Sequence, residues 1–149
     1  MIVAVAFDHA GFLIKDSILE AVRAAGHETI DLGTFSTESV DYPDYALKVG
    51  RLIQNGKAQR GILVCGSGVG ACIAANKMRG VYAGVCHDTF SARQGVEHDN
   101  MNVLCLGARV IGVELAKDLV AAFLAAEFSK EERHVRRLGK VRRIEDGAA

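Results

Sequence analysis

The chain has 149 residues, half of them apolar and about a quarter charged, and its 18 basic and 18 acidic side chains cancel. That length predicts one domain over residues 1–149, burying roughly 70% of its unfolded surface. Zero net charge argues against general binding to nucleic acid or to a membrane surface, while leaving room for a local basic patch. The longest uncharged stretch, Gly61 to Asn76, is too short and glycine-rich to span a bilayer. No basic leader precedes Asp8, so no secretory signal is expected. Cys65, Cys72, Cys86 and Cys105 form no Cys-x-x-Cys pair and match no zinc spacing. They read as reduced thiols of a cytoplasmic protein.

Ile2 to Phe7 reads as a first strand, left through the tight turn Asp8-His9-Ala10-Gly11. In Phe12 to Ala25, Ile14, Ile18 and Val22 recur every four residues, which predicts a helix with Lys15, Asp16, Glu20 and Arg23 on its outer face. Gly26 closes it. Glu28 to Leu32 is a second strand, and Gly33 to Pro43 a polar loop. A helix from about Asp44 to Gln54 ends at Asn55-Gly56. Gly61 to Val64 is a buried strand ending at Cys65, followed by glycines at 66, 68 and 70 and an apolar helix. A strand at Val81–Cys86, a helix at Thr89–Val96 and a strand at Asn102–Leu106 come next. The helix Val113–Ala126 carries Leu115, Leu119 and Phe123 on one side, and an arginine-rich tail covers Ser129–Ile144.

Strands alternating with helices at this spacing predict an α/β fold: a parallel five-stranded sheet covered by helices on both faces, with ligands beyond the carboxyl ends of the strands. That edge collects Asp8-His9, Cys65-Gly66-Ser67 and Cys86-His87-Asp88. The turn His98-Asp99-Asn100 precedes the fifth strand and so lies at the opposite edge, better placed for a neighbouring subunit's site. The glycine loop brings backbone N–H groups together at a helix start and lets an anion approach. Cys65 adds a thiol beside that helix start, where a thiolate is favoured, and Ser67 adds a hydroxyl. Cys72, Cys86 and Cys105 read instead as small core residues. Gly66-x-Gly68-x-x-Ala71, with Asp88 at about the distance of a ribose-binding carboxylate, also fits a dinucleotide fingerprint. However, two βα units precede it and little chain follows. His9 and His98 are imidazoles at predicted strand ends or turns, a side chain suited to acid–base work. Arg133 and Arg137, four apart around His134, share a helix face and make a fork for a phosphate; Arg109 is another candidate cation.

Taken together, Asp8-His9-Ala10-Gly11, Asp41-Tyr42-Pro43, Cys65-Gly66-Ser67-Gly68-Val69-Gly70, Ala74-Ala75-Asn76-Lys77, Asn102-Val103-Leu104 and the Arg133-His134 tail resemble the type B ribose-5-phosphate isomerases. The galactose-6-phosphate isomerase subunits belong to the same superfamily. The resemblance runs through nearly the whole chain in order. It implies a Rossmann-like three-layer α/β/α sandwich, a homodimer or dimer of dimers with composite active sites, and aldose–ketose interconversion with no metal or organic cofactor. It assigns Cys65 as the base working between C1 and C2 of an open-chain sugar phosphate, assisted by Ser67. The amides of Gly66, Gly68, Val69 and Gly70 steady the enediolate. His98 of a partner subunit opens the furanose ring. His9, Arg133 and Arg137 hold the phosphate with His134 nearby, and Asp8, Tyr42 and Arg109 line the pocket.

Three positions depart from the pattern. Asp99 follows His98 where the family has Asn; it accepts from a substrate hydroxyl, or Asn100 replaces it. Lys130-Glu131-Glu132 precedes Arg133, and Ser67 stands for a frequent Thr. A non-catalytic phosphosugar-binding module and a small dinucleotide-binding domain are the competing readings.

Overall fold

The computed structural model describes residues 1–148. Five parallel strands, β1 (Ile2–Phe7), β2 (Glu28–Asp31), β3 (Arg60–Cys65), β4 (Ala83–Val85) and β5 (Val103–Gly107), pair in the order β2-β1-β3-β5-β4. Phe7 pairs with Val64 and Cys65 with Gly107, so the exits of β1, β3 and β5 lie side by side. The helices are α1 (Lys15–Ala24), α2 (Tyr42–Gln54), α3 (Val69–Ala75), α4 (Thr89–Asp99), α5 (Val113–Ala125) and α6 (Glu132–Glu145).

Alternation along the strands makes two cores. Val3, Val5, Phe7, Ile62, Val64, Leu104 and Leu106 face α1, α4 and α5, meeting Ile18, Val22, Val96, Leu119 and Phe123. Ala4, Ala6, Leu63, Cys65, Val103 and Cys105 face α2 and α3, meeting Ala46, Val49, Ala71 and Ala75. Each large side chain buried here contributes about 1.5–3 kcal/mol. The Arg60 guanidinium donates to the carbonyls of Phe123 and Ala126, tying the end of α5 to the start of β3.

The sequence-based boundaries shift in several places, each for a local reason. A 3-10 turn, Gly11–Ile14, precedes α1, and Lys15 is buried rather than on the outer face. Tyr42 begins α2, because Pro43 suits a first helical turn. β4 keeps only Ala83–Val85 of the expected strand. Leu115 is 37% exposed, and Ala116 and Val120 take its place in the core beside Leu119 and Phe123. α4 runs on through His98 and Asp99 and stops at Asn100, whose φ of 56° is a left-handed C-cap.

Candidate active site

β3 delivers Cys65 to the sheet's carboxyl edge, and the chain turns at once into α3. Gly68 makes the turn with φ of 82°, a conformation that side chains rarely adopt. Its N–H donates to Cys65 Sγ at 3.1 Å, a bond that a thiolate accepts more strongly than a thiol. Val69 N–H donates to Ser67 Oγ at 3.3 Å, leaving the exposed Ser67 hydroxyl proton free to donate outward. Gly70 lies in the first turn of α3, where amides lack intrahelical acceptors. The Tyr42 ring packs so closely on Gly70 that a Cβ there would stand 2.7 Å from a ring carbon.

These groups line an open cleft of about 340 Å³ bounded by Asp8, Tyr42, Cys65, Gly66, Ser67, Gly70, Arg109 and Val110. Cys65 is 5% exposed, so its sulfur is desolvated yet borders the cleft. Arg109 N–H donates to Gly66 O at 3.0 Å, and its exposed side chain crosses above Gly66, bringing a positive charge to the cleft. Asp8 is 7% exposed, and its Oδ1 accepts from the N–H groups of Ala10 and Gly11 at 2.9 Å; it shapes the β1 exit. His9 Nδ1 accepts from Val40 N–H at 3.3 Å, which leaves Nε2 to carry the proton of the neutral ring. The arrangement offers a nucleophilic or basic sulfur, a hydroxyl, the first-turn amide of Gly70 and a guanidinium around one opening. It suits proton transfer at carbon next to a developing oxyanion.

A second group lies at the other edge of the sheet. The rings of His98, at the end of α4, and His134, on α6, stack with centroids 4.1 Å apart. Gln94 Nε2 lies 3.0 Å from His98 Nδ1, and Ser129 Oγ lies 2.6 Å from His134 Nδ1. His134 is 1% exposed; burial, with His98 and Arg133 beside it, pushes its pKa below the ordinary value. Asp99 is exposed, and exposed Arg133 pairs with Glu131 at 2.9 Å. Arg133, His134 and Arg137 lie on α6, which packs on α4, and none of them borders the Cys65 cleft of this chain. The length of β5 alone separates His98 from Cys65 by about 15 Å. One chain therefore brings Asp8, Tyr42, Cys65, Gly66, Ser67, Gly70 and Arg109 to one cleft, with Gly68 and Val69 in the same loop. His9 follows Asp8 at the β1 exit without lining that cleft, and His98, Asp99, Arg133, His134 and Arg137 stay apart from it.

Two sequence expectations need correction. Cys86-His87-Asp88 does not join the cleft, because β4 lies at the sheet's edge with β5 between it and β3. Ala108 to Val110, at the exit of β5, take that place, and Val110 is the lining residue that sequence reasoning missed. Asp88 is a helix cap: its Oδ1 accepts from Ser91 N–H at 2.7 Å, and this bond lowers its pKa. That removes the carboxylate the dinucleotide reading relied on. Among the remaining thiols, Cys105 and Cys86 are buried, which pushes Cys86 up to about 11. Cys72 is half-buried and lowered to about 7, chiefly by the neighbouring Cys105 thiol, then by Val85 and Asn76. That value would suit a base, but Cys72 Sγ faces Ala83 O and Asn76, outside the cleft.

Among the described residues no helix is long and apolar enough to cross a membrane. Residues 3–141 match the ribose/galactose isomerase family. The chain is 43% identical to ribose-5-phosphate isomerase B of Escherichia coli over 143 residues, covering 96% of this chain and 95% of the relative. It is 44% identical to D-erythrulose-4-phosphate isomerase of Pectobacterium atrosepticum over 127 residues, 85% and 84% of the two chains. The structure of ribose-5-phosphate isomerase B from Clostridium thermocellum superposes over 100% of both chains with a TM-score of 0.95 at 44% identity. By fold, by the glycine loop that carries Cys65 and by similarity along nearly its whole length, this chain belongs to the ribose/galactose isomerase family.

Proposed function

We propose that the chain interconverts a phosphorylated aldose and its ketose, with ribose 5-phosphate and ribulose 5-phosphate as the first pair. The observation that carries this reading is Cys65 Sγ at the border of a cleft that also holds Ser67, Gly70 and Arg109. In the open-chain aldose, the Cys65 thiolate removes the proton on C2 and the electron pair moves to make a cis-enediolate. Cys65 then returns a proton to C1, while the O2 proton leaves and O1 gains one. The exchange is redox-neutral. Ser67 donates to the substrate oxygens, and the loop amides and Arg109 stabilise the developing charge without reorganising. His9 binds at the phosphate end, where remote binding energy positions C1 and C2 for the sulfur.

In this reading the functional unit is a homodimer or a dimer of dimers. A partner's His98 opens the furanose ring, its Asp99 meets a substrate hydroxyl, and its Arg133, His134 and Arg137 complete the phosphate site. The separation of those residues from their own chain's cleft supports such a composite. Residues 1–149 act as one domain, in the cytoplasm, with no resident cofactor. Asp99 and the similarity to a tetrose phosphate isomerase favour one second reading: a different chain length, a tetrose phosphate or a hexose 6-phosphate.

The test is a panel of four- to six-carbon sugar phosphates in deuterated water. The expected outcome is conversion of ribose 5-phosphate with deuterium entering C1 of the ketose, since a sulfur-bound proton exchanges with solvent. Turnover confined to another member of the panel would move the assignment to that sugar, and no conversion of any member would sink it.

A further inference from the structure

Lys15 opens α1 with its side chain 8% exposed, and a lysine so buried needs partners. Its Nζ donates to Thr34 O at 3.0 Å and lies 2.6 Å from Asp31 Oδ2. The Phe35 ring stands 4.0 Å from the ammonium, with Phe7 at 5.5 Å and Phe12 at 5.9 Å, a spacing at which ring faces attract a cation. All of these partners lie outside α1. Phe7 ends β1, Phe12 sits in the turn after it, Asp31 ends β2, and Thr34 and Phe35 begin the segment between β2 and α2. A methionine would fill the space without the cost of desolvating a charge, so packing alone does not account for an ammonium here.

The bonds around Lys15 continue toward the cleft. Asp31 Oδ1 accepts from Gly33 N–H at 3.0 Å, and Thr34 N–H donates to Phe7 O at 2.8 Å. The segment anchored by these bonds then reaches Val40, whose N–H donates to His9 Nδ1, and Tyr42, whose ring packs on Gly70. His9 lies in the turn after β1 and Tyr42 opens α2 at the end of segment 33–41; Lys15, paired with Asp31, bonds to that segment and is enclosed by rings from it and from the β1 exit.

We propose that Lys15 is a positioning residue of the phosphosugar site: its ammonium holds segment 33–41 against the β1 exit and so fixes His9 and Tyr42 where the phosphate end of the substrate binds. Lys15 acts through His9 and touches no substrate atom. The inference rests on the functional reading above, and its test separates the two.

The variant Lys15→Met/Asp31→Asn removes both charges together, which spares the fold the penalty of one stranded buried charge. Its KM for ribose 5-phosphate should rise about tenfold, the size of one hydrogen bond to a charged group, with kcat within about twofold of wild type. In a His9→Ala background the same pair should raise KM little further, because both changes act on one contact. Amide hydrogen exchange over residues 34–40 should quicken. Lys15→Gln alone, which keeps a donor for Thr34 O and leaves only the partly exposed Asp31 without its partner, should move KM and exchange the same way by less, and it serves if the pair does not fold. An unchanged KM, a full additional rise in the His9→Ala background, or unchanged exchange over 34–40 would each overturn the proposal. An inactive wild type would instead sink the functional reading, with the exchange measurement still deciding whether Lys15 anchors the segment.

Discussion

At the carboxyl edge of the sheet, Cys65, Ser67 and Gly70 come from one continuous stretch, and backbone bonds fix their positions. At the amino edge, His98 and His134 come from two helices far apart in sequence and are held by ring stacking and the Ser129 hydroxyl. The first arrangement is a set of donors around a sulfur that needs no further protein to form. The second is an imidazole pair, His98 half-buried over a covered His134, too far from that sulfur to share its substrate. The contrast teaches that the fold gathers one group locally and keeps the other a strand's length away, which is why the proposed function joins them across subunits.

The largest expected effect breaks the local half. Cys65→Ala should lower kcat by about 10³-fold, within the range for loss of a positioned base. Circular dichroism should show the fold retained. An activity loss under tenfold would move the role to another group.

Cys72 is the thiol to compare with it, and the second prediction sharpens that contrast. With Cys72 lowered to about 7 and Cys86 raised to about 11, Cys72 is the more ionised at neutral pH. After allowing for the weaker nucleophilicity of a more acidic thiol, iodoacetamide should label Cys72 about 50-fold faster than Cys86. Mass spectrometry of peptides reads that ratio. Cys72→Ala should nonetheless leave kcat within about twofold, because a base must reach the substrate proton and Cys72 lies outside the cleft.

The smallest effect concerns the amino edge. His134 is held below its ordinary 6.5 by burial first, then by His98 and Arg133. As pH falls, the unfolded chain takes up this proton before the folded one. The stability present above about 6.5 is therefore lost as pH falls through the lower folded value. Urea midpoints at about pH 7.5 and about pH 5.5 should differ more for wild type than for His134→Phe. An equal difference would show that this ring is not held neutral by the fold.

What the sequence discloses follows the same division. The glycine loop, Cys65 and the positions of β1, β2 and β3 along the chain are legible because spacing and burial period are local properties. The position of β4 at the sheet's edge is not, because nothing in Ala83–Val85 states which strand it pairs with. Consequently Cys86-His87-Asp88 looks like part of the cleft and Val110 does not. His98 reads as a turn residue until Asn100 is seen to cap α4 in a left-handed conformation. Lys15 falls on the polar side of a helical wheel, and only its contacts with Asp31, Thr34 and Phe35, all from another segment, explain its burial. The place of α6 is set by the packing of His134 and Leu138, two residues in a helix that otherwise looks solvated.

The central claim, that Cys65 of one chain works with His98 of another, is tested most directly by mixing two impaired proteins. Cys65→Ala and His98→Ala chains are combined, dissociated and allowed to reassociate, and ribose 5-phosphate isomerisation is measured. Each mixed dimer would carry one intact site and one doubly altered site, so statistical exchange predicts recovery to about a quarter of wild-type activity. A mixture no more active than the sum of its two separate components would contradict the account.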